Sequence, residues 1–269
     1  MLNEGAQSTE NSQRIADFEN PPVVETVLGV FFSPLVGYGS LHQGVFWNRV
    51  RDRYPRYELM PAIGEVEVRL GPQGVQPFPT RSLLIDSSNA QLVQIQSSGF
   101  LRNWRKVLGV PGYIHYDVMR PSFERDWTEF LSFLHDERLA SPEVFEAQVT
   151  YINQFVRGFE WKAYDDFGEI LTRRADFRRS EIISHLKLFS FHEVYDLTDG
   201  SGRLEVSAQP AIRPVDGKEI LQLTITAAGK PQSNSTDDIM AWLDSGHKAV
   251  VGSFVEMTSE RVHKIWGEK

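Results

Sequence analysis

The chain has no cysteine among its 269 residues, so disulfide staples and thiolate metal sites are excluded and a reducing cytoplasm is the expected setting. No run approaches the ~20 apolar residues that a membrane span requires, so no membrane partner is expected. The first residues lack the basic start and apolar run of a secretory signal. Cations are in short supply as well. Lys and Arg number 28 against 36 Asp and Glu, and the formal net charge of −8 disfavours a protein whose whole surface grips nucleic acid. Catalytic signatures are missing too. There is no G-x-S-x-G, no phosphate-cradling glycine loop, and none of the seven histidines stands in H-x-x-x-H spacing. No catalytic residue, metal site or cofactor is therefore assigned, and the balance leans away from an enzyme.

What is present is a generous core. Hydrophobic residues make up 41%, and 17 Phe and 6 Trp supply large side chains for a core, a pocket or an interface. Residues 1–17 are polar and aperiodic and read as a flexible tail. Asn20-Pro21-Pro22 then launches a strand over 23–32, apolar on both faces except at Glu25. A carboxylate there requires a partner, and Arg105 is the candidate for a structural ion pair with it. The spacing predicts a helix over 41–54 with Leu41, Val45, Phe46, Val50 and Tyr54 close to one face. Strands follow at 57–60, 65–70, 82–86 and 91–96, with a Pro- and Gly-rich loop at 71–79. A strand over 113–119 precedes an amphipathic helix that Pro121-Ser122 opens, with Ser122 as N-cap. Its apolar residues are Phe123, Trp127, Phe130, Leu131 and Leu134.

A polar break at 136–142 divides a first half (18–140) from a second (141–269). The second half repeats the order of elements. A strand over 144–156 sets Phe145, Ala147, Val149, Tyr151 and Asn153 on one face. A short helix (165–174) and strands at 181–194, 202–213 and 218–228 follow. Thr236 caps a helix that buries Ile239, Trp242, Leu243, Val250, Phe254 and Met257, and a terminal helix ends at Gly267. The expected fold class is α+β: two tandem strand–helix–(three or four strands)–helix halves, with antiparallel sheets and helices on one face. This order is shared by helix-grip and TATA-binding-protein-like topologies and carries no function by itself.

Two clusters stand out. Gln94 and Gln96 share one strand face, and Asn103, Trp104 and Arg105 follow within ten residues; together they offer amides, an aromatic plate and a cation to a ligand or partner. The same groups could equally form a buried polar network that seats the helices on the sheet. Arg173, Arg174, Arg178 and Arg179 form a basic patch, the one feature that favours nucleic acid.

The segments Asn20-Pro21-Pro22-Val23-Val24-Glu25, Phe46-Trp47 with Tyr54-Pro55, the Q-x-Q run into Asn103-Trp104-Arg105, and Tyr151-Ile152-Asn153 together resemble a sporadically distributed, uncharacterised bacterial protein family. The resemblance spans nearly the whole chain. It implies a bacterial source and a shared architecture, and its patchy distribution implies an accessory role linked to defence or mobile genes; it implies no reaction. Three readings are open at this stage. The first is a non-enzymatic binding module with a protein partner or self-association, the second a small-molecule-binding or catalytic helix-grip protein, and the third a nucleic-acid binder using the arginines.

Overall fold

The computed structural model describes residues 17–63, 70–71, 74–75, 80–110, 112–172, 182 and 184–269. The prolines at 21 and 22 hold the chain extended into β1 (Val23–Phe32). Then come α1 (Ser40–Val50), β2 (Arg56–Pro61), the two-residue strands β3 (Leu70–Gly71) and β4 (Gly74–Val75), β5 (Thr80–Ile85), β6 (Gln91–Gln96), β7 (Gly99–Arg105) and α2 (Tyr116–Asp136). The chain continues through β8 (Val144–Val156), a 3-10 turn at Tyr164–Asp166, α3 (Phe167–Ile170), β9 (Phe191–Asp196), β10 (Gly202–Ile212), β11 (Glu219–Gly229), α4 (Thr236–Met257) and α5 (Glu260–Trp266). Nine strands form one antiparallel sheet in the order β2-β5-β6-β7-β1-β8-β11-β10-β9. The expected α+β class is therefore observed: among the described residues, one nine-stranded antiparallel sheet, the short β3–β4 pair and five α-helices.

Alternation along the strands decides which residues meet the helices. On β1, Leu28, Val30 and Phe32 are fully buried in the main core, beside Val93 and Ile95 of β6, Phe100 of β7 and Leu221, Leu223 and Ile225 of β11. Phe46 from α1, Trp127 and Phe130 from α2, and Leu243 and Val250 from α4 cover that face. The Phe46 and Phe130 rings meet edge to face, with centroids 5.4 Å apart. The opposite face carries a small separate cluster of Leu83, Ile85 and Leu92. No helix among the described residues is long and apolar enough to cross a membrane.

Several boundaries differ from expectation. Asp17, placed in the tail, is tied down: Lys269 Nζ lies 3.3 Å from its carboxylate, and Phe18 beside it is buried against Phe254, His263 and Trp266. Residues 1–16, strand residues 65–69 and the arginines 173, 174, 178 and 179 lie outside the described residues. The strand expected at 113–119 is absent, because α2 begins at Tyr116 and takes Pro121 into its second turn. His115 replaces Ser122 at the N-cap position. Helix α1 is amphipathic in a different register. Gln43, Phe46 and Val50 face inward, while Leu41 and Val45 are 85% and 48% exposed. Phe145 is 53% exposed because a bulge between Phe31 and Phe32 shifts the β1–β8 register there. The strand expected from 181 is observed from Phe191 onward. The N-cap of α4 is Ser235, whose hydroxyl accepts the Asp238 amide at 3.1 Å, rather than Thr236. Gly267 ends α5 in the left-handed conformation (φ 71°), as expected.

Candidate functional site

The hairpin β6–β7 divides the polar cluster between the two faces of the sheet. Leu92 pairs with Asn103 and Gln94 with Leu101, so Gln94, Gln96, Asn103 and Arg105 share the face away from the helices. Trp104 faces the opposite way, into the helix layer, with Tyr113 at 5.3 Å. The amides are spent on neighbours. Gln94 Nε2 donates to Asn103 Oδ1 (2.7 Å), and Asn103 Nδ2 donates to Glu25 Oε1 (2.6 Å). Gln96 accepts the Ile63 N–H (2.8 Å) and donates to its carbonyl (2.9 Å), clamping the chain beyond β2 to the sheet. Gln94, Gln96 and Asn103 are all buried. This is the network form of the cluster.

Glu25 and Arg105 stand directly opposite in the β1–β7 register, yet no ion pair joins them among the described residues. Glu25 receives Asn103, and the Arg105 guanidinium donates through Nε to the Asn89 carbonyl (2.7 Å). The shorter amide reaches the carboxylate diagonally, and the arginine turns the other way, to the β5–β6 turn.

A buried ion pair does exist, at Arg102. On β7 it shares the Trp104 face, and its Nη1 donates to Asp126 of α2 and to the Tyr54 hydroxyl, while Nη2 donates to Gln91 Oε1 (2.6 Å). Both charged side chains are almost fully buried. Arg125 and Arg53 reach the other carboxylate oxygen at 3.0 and 3.5 Å. This assembly fastens β7, the turn after α1 and α2 together.

A site with room for a ligand lies elsewhere, at the seam where β1 meets β8. A cleft of about 540 Å³ opens there between the sheet, the start of α2 and the middle of α4. Val23 of β1 and Tyr151 and Asn153 of β8 supply its sheet wall. The loop before α2 brings Tyr113 and His115, and the first turn of α2 brings Tyr116 and Asp117. From α4 come Asp244, His247, Lys248, Val250, Val251 and Phe254, whose spacing of three or four residues lays them along one helix stripe. Asp17 and Phe18 close one end.

The polar groups in the cleft form a connected set. Tyr113 donates to the Tyr151 hydroxyl (3.3 Å), which lies 3.1 Å from His247 Nδ1. Tyr151, already accepting from Tyr113, has its own proton to give to Nδ1, and the neutral ring then carries its proton on Nε2. Tyr116 lies flat against the same imidazole, ring centroids 3.9 Å apart and planes 3° from parallel. Its hydroxyl donates to Asp244 Oδ1 (2.8 Å), which also receives Arg120 Nε (2.7 Å). Desolvation holds the His247 imidazole down to about 4. Burial, foremost among the causes, raises the Tyr113 phenol and lifts Tyr151 well above the ordinary value. Tyr116 is raised by burial and then by its bond to the Asp244 carboxylate.

Of the candidate residues, none of Gln94, Gln96, Asn103, Trp104 and Arg105 lines this cleft, although Trp104 packs behind Tyr113. Two residues of the Tyr151-Ile152-Asn153 segment do line it. The usable signal was parity, since residues 151 and 153 must share a strand face. Nothing in the sequence pairs them with Tyr116 or His247. No cluster of three or more potential metal ligands occurs among the described residues. Compared with protein-family models, curated proteins and solved structures, the chain matches none.

Proposed function

We propose that the protein is a non-enzymatic binding module whose ligand is a small organic molecule held in the β1–β8 cleft. One observation carries this reading: the His247 imidazole and the Tyr113, Tyr116 and Tyr151 phenols, all facing the cleft, are pushed away from neutrality. A general acid or base works best with a pKa near the operating pH. An imidazole at about 4 and phenols raised above their usual range hold their protons fixed at neutral pH. They act as oriented hydrogen-bond groups set in aromatic walls, which suits recognition. The volume lies within the range of small-molecule sites.

The strand order supports the two-halves reading. From β1 the sheet runs outward through β7, β6, β5 and β2, and from β8 through β11, β10 and β9. Each leading strand is thus flanked by the last strand of its own half, and the cleft falls on the junction.

The test is a ligand-observed NMR screen of a chemically diverse panel, repeated on Val251→Trp, which fills the cleft from a partly buried position. Hits lost in a Val251→Trp variant with unchanged melting temperature support the proposal. A panel without hits, or hits indifferent to the substitution, overturns it.

A second reading, self-association, is favoured by the apolar surface of Val36, Leu41 and Val45, which are 87%, 85% and 48% exposed. Light scattering decides it. A monomer at micromolar concentration, or a dimer that survives Leu41→Glu, removes it.

A further inference from the structure

The geometry points to a ligand class for the cleft: a zwitterion with an apolar or aromatic body, its ammonium directed to Asp117 and its carboxylate to Lys248. This rests on the binding reading above and extends it. Of the four charged side chains lining the cleft, two are already matched. Asp244 holds Arg120, and Asp17 lies beside Lys269. Asp117 and Lys248 have no ion pair among the described residues, and both are exposed. They follow directly on Tyr116 and His247, whose rings stack at 3.9 Å across the α2–α4 contact. The two unmatched charges of opposite sign therefore flank one stacked pair at the rim, one on each helix. The interior between them is built for an uncharged body: Phe18, Val23, Tyr151 and Phe254 supply apolar and aromatic surface, and Asn153 lends an amide whose Oδ1 takes part in no hydrogen bond among the described residues.

Each alternative leaves a charge unmatched. A simple anion meets Lys248 but also the carboxylates of Asp17, Asp117 and Asp244. A simple cation meets Asp117 and leaves the Lys248 ammonium facing it. A zwitterion answers both. Because these are rim charges in contact with water, each is expected to contribute about two- to fivefold in affinity, more at low salt than at high.

The experiment is isothermal titration of the full chain at low salt with four probes that share one indole body: tryptophan, tryptamine, indole-3-propionate and 3-ethylindole. The expected order places tryptophan first, about fivefold tighter than either singly charged probe. Lys248→Gln should bring tryptophan down to the level of tryptamine, and Asp117→Asn should bring it down to indole-3-propionate, with melting temperatures confirming that both variants fold. If 3-ethylindole binds as well as tryptophan, or if neither substitution moves the order, the zwitterion is wrong and the cleft reading stands. If none of the four probes binds while hits from the diverse panel are lost in Val251→Trp, the zwitterion likewise falls alone. If no compound of either set binds, both fall together.

Discussion

The Tyr116 ring lies parallel to the His247 imidazole, 3.9 Å from it, and so joins the first turn of α2 to the middle of α4. The stack covers one face of an imidazole whose Nδ1 is already engaged by Tyr151. Together these contacts keep the ring dry, and dryness is why it resists protonation.

That resistance has a signature in pH. The folded-state value of about 4 lies below the ordinary 6.5, so between them the unfolded chain binds the proton and the folded chain does not. Stability should be unaffected by this group above pH 6.5, fall as pH drops from 6.5 towards 4, and level off below 4. The full loss is on the order of 3 kcal/mol. His247→Gln should remove that slope. Urea unfolding at pH 7, 5.5 and 4.5 for both proteins checks it; a wild-type-minus-variant difference constant across this range contradicts a neutral, buried imidazole.

Arg102 and Asp126 should behave as a buried pair does. Asp126→Asn strands the Arg102 charge in the core and should cost about 3–5 kcal/mol; Arg102→Met should cost less, because Arg125 and Arg53 still face the Asp126 carboxylate. The double replacement should cost less than the sum of the singles, because the two charges leave together. A double-mutant cycle from chemical denaturation measures the coupling; additive losses would mean that the pair contributes nothing beyond its separate contacts.

Glu25 and Asn103 make a milder prediction. Glu25→Gln keeps an oxygen that can accept from Asn103 Nδ2, so the loss should be near 1 kcal/mol. Asn103→Leu removes the bond to Glu25 and the one from Gln94 at once, leaving the buried Gln94 and the half-buried Glu25 unmatched, and should cost about 2–4 kcal/mol. Melting temperatures of the two variants rank them. The reverse order would show that Glu25 answers chiefly to a cation.

These residues also mark where sequence reading reaches and where it stops. Alternation placed Val93 and Ile95 in the core and Gln94 and Gln96 opposite them, since a strand has only two faces. It could not choose Asn103 over Arg105 as the partner of Glu25, because both project from the same face and reach decides between them. Proline at 121 suggested a helix start, yet α2 begins five residues earlier: a proline in the second turn forfeits one hydrogen bond, and the packing of Met119, Phe123 and Trp127 against the core outweighs it. Leu41 and Val45 fit an apolar stripe, but the inward face of α1 is set by Gln43, whose amide donates to the Thr80 carbonyl and accepts the Ser82 hydroxyl. The cleft was least legible of all. Tyr116 and His247 meet only because the strand order sets β8 beside β1, and no local pattern encodes that neighbour.

The last prediction concerns how α4 is seated, since Asp244, His247 and Lys248 all ride on it. Trp242 lies over the close pairing of Gly202 with Gly229, and its indole N–H donates to the Ser201 carbonyl (3.2 Å). One turn on, Gly246 faces the same indole; a Cβ there would lie 2.9 Å from Trp242 Cζ3 and 3.2 Å from Val149 Cγ2. Neither contact is tolerable without movement, because the indole is packed against the glycine pair and Val149 belongs to the sheet. Gly246→Ala should therefore push α4 outward despite alanine's better helix propensity, which offsets about 1 kcal/mol. The net loss is expected at about 1–3 kcal/mol, as for overpacking elsewhere. Because His247 is the next residue, the shift should also loosen its stack on Tyr116 and let water in, raising the imidazole pKa towards its ordinary value. An NMR titration of the His247 ring in Gly246→Ala reads this directly. An unmoved titration beside a lowered melting temperature would mean that the helix gives way elsewhere and that the cleft is held by the sheet alone.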